Sequence, residues 1–399
     1  MKKRFILIPT ALILLILLFT PFIKEPILNF FIKNEFKKNS ITLDFLNNKD
    51  KINNFFKEDI ENNDIFLVGE IHSTSKSVKL NIDFLKFFVE NADVRYILLE
   101  GGYTMGQLLN EFLISGDFKT LDFIMSSLYG SLAYTQEQYD FFVELYEFNK
   151  TLPENKKLMF VGIDIEHQPN IALKYIYSLL PNTEIPEDIK EYFELLNKTT
   201  VNNFLINTKK IAMGIKENEN SFKEYLGDNF FDFSFSINNM SVSRPGLSQR
   251  EPYLKSNFTT LYERLPKGKY FGQFGEIHVR KSGAISKSDP VSLANFLNNE
   301  YEETKNKVIS ISLALNNSYV LSQNYVVEGP INNLPASFFP KDGLTKLVKL
   351  NYENSPFSKY KLLVKDAPTT EYFEYLLIIS DSPACTKYYK NVLQQKTQQ

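Results

Sequence analysis

From residue 64 onward, short apolar runs alternate along the chain with longer stretches in which apolar residues recur at helical spacing. Runs such as Ile65–Val68 and Leu158–Ile163 have the length and composition of buried strands. The stretch Val78–Val89 carries Leu80 and Phe84 at the spacing of one helical face. This alternation is typical of an α/β domain with a largely parallel sheet. The predicted strands are Ile65–Val68, Arg95–Leu99, Leu158–Ile163, Lys269–Phe274, Val308–Leu315 and Tyr375–Ser380.

Further helices are predicted between and after these strands. Glu137–Asn149 has apolar residues at helical spacing, and Asn170–Leu180 follows the third predicted strand. Residues 183–246 are predicted to form a mainly helical insertion. We therefore predict an α/β fold in residues 64–399, with a mixed, mostly parallel sheet flanked by helices, and an additional transmembrane helix at the N-terminus.

The N-terminal segment predicts a membrane anchor. Three basic residues after Met1 precede an apolar run over residues 5–23, about the ~20 residues that a bilayer-spanning helix needs. The basic flank predicts the N-terminus inside and the domain outside the cytoplasm. We read residues 1–25 as an uncleaved signal anchor, with a cleaved signal peptide as the alternative. Residues 26–63, rich in Lys and Asn, are predicted to be a tether with one or two short amphipathic helices.

Composition narrows the choice of partners. The 399 residues hold 45 Lys+Arg against 47 Asp+Glu, so the chain has no overall basic character and nucleic acid is an unlikely partner. Cys385 is the single cysteine, which excludes an internal disulfide and a zinc site built from several thiolates. Histidine is equally scarce, with three residues in the whole chain.

All three histidines, and a carboxylate each time, come just past the end of a predicted strand. The tetrapeptide Gly-Glu-Ile-His occurs twice, at Gly69–His72 and Gly275–His278, and His167 follows the strand that ends at Ile163. Ligands bind at the carboxyl edge of open α/β sheets, so these side chains are expected to share a crevice. The carboxylates that follow the strands are Glu70, Glu100, Asp164, Glu166 and Glu276.

Structural roles were open for several of these residues. A histidine after a strand is often a turn residue whose hydrogen bonds are satisfied, and for His167, which precedes Gln168-Pro169, a structural and a functional role are both open. Asp164 is also placed to cap the helix Asn170–Leu180, and Glu100 precedes a double glycine where a turn carboxylate is common. The repeated tetrapeptide favours a functional role for His72 and His278.

The common cofactor and nucleophile motifs do not occur in the chain. There is no Walker A sequence, no dinucleotide-binding glycine pattern, no Gly-x-Ser-x-Gly and no His-Glu-x-x-His. The chemistry that the remaining residues support is activation of water by an imidazole and carboxylates, with or without a divalent metal.

Three stretches of this sequence resemble the erythromycin esterase-like family. They are residues 68–116, residues 128–164, and Gln249-Arg250-Glu251, which opens a helix upstream of the last histidine. The family belongs to a wider superfamily with haem-binding uptake proteins and Tiki-type metalloproteases, whose glycine-x-x-histidine pairs look like the two Gly-Glu-Ile-His segments here.

The resemblance implies roles for individual residues. His72 would be the general base, and Glu70 and Glu100 would orient it or hold a metal. Asp164 would line the pocket, and His278 would be the second imidazole. Arg250 would bind an oxyanion or a carboxylate, although a salt bridge at the start of its helix is the alternative. The carboxylates and imidazoles of this chain that are candidates to bind a divalent metal are Glu70, His72, Glu100, Glu276 and His278.

The sequence also departs from the family. The esterases usually carry one more residue between the glutamate and the histidine of the first motif, and a His-Asn pair where this chain has Gly275-Glu276. The additional carboxylate makes the expected site more acidic and more metal-like. The leading hypothesis is a membrane-anchored hydrolase of a small-molecule or peptide substrate. The alternatives are a haem- or metal-binding protein without catalysis, and a scaffold in which these residues form turns.

Overall fold

The protein is described by a computed structural model over residues 28–243, 247–283, 291–322, 325–329, 334–341, 343–363 and 367–389. Each of the six predicted strands forms, and most of their ends lie within two residues of the predicted ones. Four further strands are present among the described residues. In chain order the strands are β1 Ser40–Thr42, β2 Ile65–Glu70, β3 Val94–Gly102, β4 Met159–Asp164, β5 Lys269–Gly275, β6 Val308–Asn316, β7 Tyr319–Ser322, β8 Tyr325–Glu328, β9 Lys346–Lys349 and β10 Tyr375–Ser380.

Helices connect these strands, as the apolar periodicity predicts. They are α1 over residues 28–38, α2 Lys49–Asn62, α3 Ser75–Ala92, α4 Tyr103–Ser115, α5 Phe118–Ser127, α6 Gln136–Thr151, α7 Pro169–Ser178, α8 Lys190–Asn197, α9 Phe204–Glu217, α10 Glu219–Leu226, α11 Phe230–Met240, α12 Glu251–Arg264, α13 Leu293–Asn295 and α14 Thr369–Tyr372.

Eight strands form one sheet in the order β1-β9-β10-β6-β2-β5-β3-β4. The six strands from β10 to β4 are parallel to their neighbours, whereas β9 and β1 are antiparallel additions at one edge. The predicted mixed, mostly parallel sheet is thus confirmed. Because β2, β5, β3 and β4 are consecutive in the sheet, the residues that follow their carboxyl ends are neighbours in space.

The sheet has a hydrophobic core on each face. Along β2, Phe66 and Val68 pack into one core while Ile65 and Leu67 pack into the other, and all four side chains are fully buried. A parallel sheet covered by helices on both faces requires such unbroken apolar strands. This explains why the strands were recognisable from the sequence.

Helices α8–α11 occupy the stretch that was predicted as a helical insertion, and they enclose a third core around Phe193, Phe222 and Phe233. Asp232 of α11 joins this layer to the sheet domain, because it accepts hydrogen bonds from the hydroxyls of Tyr103 at 2.8 Å and Tyr175 at 2.9 Å.

The part of the predicted tether that the structure describes packs against the domain. Ile52 and Phe56 of α2 are fully buried, and β1 pairs with β9. The apolar residues of α2 recur at intervals of four, which places them on one helical face despite the many Lys and Asn residues around them. The predicted membrane segment, residues 5–23, lies outside the described residues. Within the described ranges, no helix combines the length and the apolar character that a bilayer crossing needs.

Candidate active site

Three side chains meet where β2, β5 and β3 end. Pairing of β2 with β5 brings Glu70 level with Gly275, and the backbone N–H of Gly275 donates to Oε2 of Glu100 at 2.8 Å. Glu70, His72 and Glu100 each offer a donor atom, and these atoms all lie within 4.8 Å of one another. Two carboxylates and one imidazole thus converge at the carboxyl edge of the sheet.

His72 is held by Glu70. Nδ1 of His72 lies 2.7 Å from Oε1 of Glu70, while the imidazole remains 41% exposed toward the cleft. The negative charge of Glu70 is the main cause that raises the pKa of His72 to about 9, against the opposing effect of burial. With Nδ1 engaged by the carboxylate, Nε2 is the nitrogen that a substrate or a water molecule can meet.

Gly275 leaves open the space in front of Nε2. A Cβ atom at Gly275 would lie 3.5 Å from Nε2 of His72, 3.6 Å from Cδ2 of His278 and 3.7 Å from Oε2 of Glu100. A side chain at this position would therefore occupy the point on which the two imidazoles and the carboxylate converge. This is a physical reason for glycine at the end of β5.

A buried ion-pair network lies behind this point. Arg250, which precedes α12, donates from Nη2 to Oε1 of Glu100 at 2.9 Å and from Nη1 to Oδ2 of Asp164. Nδ1 of His278 lies 2.5 Å from Oε1 of Glu251, and its Nε2 lies 3.4 Å from Oε1 of Glu100. The network fixes the orientation of Glu100 through a backbone N–H, an arginine and a histidine at once.

The network also sets the protonation of its members. Burial opposes the charged form of His278, but hydrogen bonds and charges from Glu100 and Glu251 raise its pKa to about 10. Burial likewise opposes ionisation of Glu100, yet His278, His72 and the N–H of Gly275 hold its pKa well below the usual range. At neutral pH the site therefore contains an ionised Glu100 beside a protonated His278.

The remaining predicted residues extend the site along β4. Nε2 of His167 lies 3.0 Å from Oδ2 of Asp164 and 3.2 Å from Nη1 of Arg250, so His167 joins the network. Glu166 accepts hydrogen bonds from the N–H and the hydroxyl of Thr104 at 2.9 and 2.7 Å, and burial raises its pKa to about 7.

Two neighbouring cavities open onto the site. One, of about 460 Å³, is lined by Glu100, Glu166 and His167; the other, of about 280 Å³, is lined by Glu70, His72 and Glu100. Glu100 and the segment 128–133 contribute to both cavities. The cleft can therefore receive a substrate with groups on both sides of Glu100.

The structure brings together three of the five residues that are predicted to bind a metal. The carboxylate of Glu276 lies 2.7 Å from Nη2 of Arg280 and 3.4 Å from the hydroxyl of Ser312, so it serves an ion pair outside the convergent group. His278 has both ring nitrogens directed at carboxylates, Nδ1 at Glu251 and Nε2 at Glu100. Among the described residues, the donors that remain together are Glu70, His72 and Glu100.

Sequence reasoning missed the role of Glu251. This residue is completely buried, and its carboxylate engages Nδ1 of His278. In the segment Gln249-Arg250-Glu251 the resemblance indicates a role for Arg250 and none for Glu251. The sequence did contain a signal for Glu251. Two adjacent residues of opposite charge at a helix start can both be buried only if each has a partner, so a role for Arg250 in the site indicated a partner for Glu251 as well.

Comparisons with known proteins identify the fold. Three solved structures are similar over most of their length: a Bacillus cereus protein (16% identity, TM-score 0.62, covering 90% of this chain and 99% of that chain), a succinoglycan biosynthesis protein (15%, 0.67, 90% and 98%) and an erythromycin esterase mutant in its open conformation (16%, 0.57, 87% and 96%). No protein-family profile and no curated protein matches the chain. The chain therefore shares the fold of these three structures, one of which is an erythromycin esterase, in agreement with the resemblance read from the sequence.

Proposed function

We propose that this chain, which has the erythromycin esterase-like superfamily fold, is a hydrolase in which His72 activates a water molecule. Its substrate is a small molecule or a peptide, and residues 5–23 anchor it to a membrane with the domain outside the cytoplasm. The observation that carries the proposal is the Glu70–His72 pair, which faces a cleft beside Glu100 and Arg250.

The pair has the geometry of a general base and its orienting group. Glu70 accepts the Nδ1–H of His72, so that in the neutral imidazole Nε2 carries the lone pair. This nitrogen takes a proton from water as the water attacks the substrate, and Glu70 stabilises the imidazolium that results. The histidine must lose its proton before each turnover, so the rate rises with pH.

Arg250 and His278 supply positive charge next to the point of attack. Both are buried and both contact Oε1 of Glu100, Arg250 at 2.9 Å and His278 at 3.4 Å. The two cations offset the negative charge of Glu100, which lowers the electrostatic cost of negative charge that develops on a substrate oxygen beside it, and their fixed positions avoid reorganisation during the reaction.

A metal-assisted form of this hydrolysis is supported by the donor set. Glu70, His72 and Glu100 provide two carboxylate oxygens and an imidazole nitrogen, which suit a divalent transition metal. When bound there, the metal would lower the pKa of a coordinated water. Glu70, His72 and Glu100 would then bind the metal, while Arg250 and Gly275 would continue to orient Glu100.

The test is hydrolysis of a panel of esters, lactones and peptides by the purified full chain and by its His72→Asn variant. We expect the variant to retain the fold and a cooperative unfolding transition, and to lose at least ~100-fold in kcat/KM. Full activity of the variant on a substrate of the wild type contradicts the proposal. Metal content and the Soret region of the same preparation distinguish this function from a metal- or haem-binding one.

A further inference from the structure

Helix α1 has two opposite faces. Ile32 and Phe36 are buried against the domain, where the ring of Phe36 lies 5.2 Å from that of Phe338 and 5.5 Å from that of Phe357. On the other side, Phe30 is 63% exposed and Phe31 is 58% exposed. Two neighbouring aromatic rings in water represent apolar area that a partner can cover.

The exposed face is also basic. Lys33, Lys37 and Lys38 are exposed, and helical spacing places Lys37 and Lys38 on the side of the two rings. The acid of this helix, Glu35, is engaged by Nζ of Lys38 at 3.1 Å and by the hydroxyl of Tyr352 at 2.8 Å. The face is thus apolar and positive, on a chain whose formal net charge is −2.

We propose that this face of α1 lies on the surface of an anionic lipid bilayer. Exposed Phe side chains beside Lys residues are the composition with which an interfacial helix inserts its rings among lipids and pairs its charges with their phosphates. A second copy of the chain is disfavoured as the occupant, because a symmetric contact through this face would oppose its own lysines.

The position of α1 in the chain supports the same occupant. The inference rests on the proposed anchoring, in which the predicted membrane segment ends at Ile23. Leu28 follows five residues later, and five fully extended residues span at most about 18 Å. Phe30 and Phe31 are therefore within about 20 Å of the point where an anchored chain leaves the bilayer.

The absence of tryptophan from the sequence makes a direct test available. A Phe31→Trp variant of the full chain is reconstituted into vesicles of phosphatidylcholine and phosphatidylglycerol that contain lipids brominated on their acyl chains. The matched control is Ile114→Trp, because Ile114 is 86% exposed at the end of α4, which packs beside β4 at the opposite edge of the sheet from β1.

We expect brominated lipid to quench the Phe31→Trp variant and to leave the Ile114→Trp variant unchanged. Quenching is expected to weaken when phosphatidylglycerol is omitted, or when Lys37→Glu and Lys38→Glu are added. Equal quenching of the two tryptophan variants overturns the proposal. An emission shift of the Phe31→Trp variant that depends on protein concentration but not on lipid also overturns it, in favour of a second copy.

Flotation of the wild-type chain with the same vesicles separates this inference from the anchoring on which it rests. A chain that floats while its Phe31→Trp variant is not quenched retains the anchor and refutes the role of α1. A chain that does not float refutes both.

Discussion

Oε1 of Glu70 lies 2.7 Å from Nδ1 of His72, two residues away along the chain and just beyond the end of β2. Glu70 is the last residue of β2 and His72 lies in the turn that follows, so this contact is local in the sequence. The same tetrapeptide at Gly275–His278 makes no such contact, because Glu276 bonds Arg280 and His278 bonds Glu251. The rest of the site, from Glu100 to Arg250, reaches this pair from other strands and from α12.

The pH dependence of activity follows from this contact. Because Glu70 raises the pKa of His72 to about 9, the neutral base accumulates only as pH rises through that value, and kcat/KM is expected to rise with it. Glu70→Gln removes the main cause of the shift, so the ascending limb is expected at lower pH with a reduced plateau. Glu276→Gln is the matched control, since Glu276 bonds Arg280 instead. If the rise of kcat/KM with pH stays at the same pH in Glu70→Gln, His72 is not the group whose ionisation causes it.

Gly275→Ala is expected to separate activity from folding. The added methyl lies 3.5 to 3.7 Å from His72, His278 and Glu100, which is ordinary contact distance. The free energy of unfolding is therefore expected to change by ~1 kcal/mol or less. The methyl nevertheless occupies the point in front of Nε2 of His72, so kcat/KM is expected to fall at least ~10-fold. Urea unfolding measures the change in stability, and initial rates measure the change in kcat/KM. Undiminished activity would show that water and substrate do not pass through the space beside Gly275.

The buried pair of His278 and Glu251 links stability to pH. The pKa of His278 is raised to about 10 from an unfolded value near 6.5. The stabilisation from the contacts of His278 with Glu100 and Glu251 is therefore complete below about pH 6.5 and is lost as pH rises through 10. Glu251→Ala leaves a buried imidazolium with one partner fewer and is expected to cost about 3–5 kcal/mol.

Urea unfolding of the wild type and of a His278→Gln variant at pH 6.5, 8 and 10 measures this linkage. The wild type is expected to lose stability across the series, and the variant is expected to show a flatter dependence. If the free energy of unfolding changes equally with pH in the two proteins, His278 is not the cause of the pH dependence.

Asp232 is expected to hold the helical insertion on the domain. Asp232→Ala leaves the hydroxyls of Tyr103 and Tyr175 without their shared acceptor, at an expected cost of about 1–3 kcal/mol. Limited proteolysis is expected to cut the variant faster within residues 183–243, while the sheet remains protected. Asp228→Ala, in the turn before α11, is the matched control. If both variants are cleaved at the same rate, contacts other than those of Asp232 hold the helical insertion on the sheet domain.

The pattern of apolar residues predicted the central strands of the sheet, but it did not predict β1 and β9 at the edge. The parallel strands are buried on both faces, so their apolar runs stand out in the sequence. β1 and β9 have three and four residues and pair across some 300 positions of chain, and such a contact depends on the folded sheet rather than on local composition.

The same distinction applies to the site. The ends of parallel strands share an edge, so the sequence could place Glu70, His72 and Glu100 near one another. It could not predict that Glu276 forms an ion pair with Arg280, or that Glu251 contacts Nδ1 of His278. Those partners are chosen by side-chain packing around β5 and α12, which strand order does not specify.

The most direct test of the central claim, that the Glu70–His72 pair supplies the base, is an NMR titration of the imidazoles in the wild-type protein. The chain has three histidines, and one asparagine variant of each assigns their signals. The account predicts that His72 titrates near pH 9, that this value falls in Glu70→Gln, and that the kinetic limb moves with it. A His72 that titrates near 6.5 in both proteins would contradict the account.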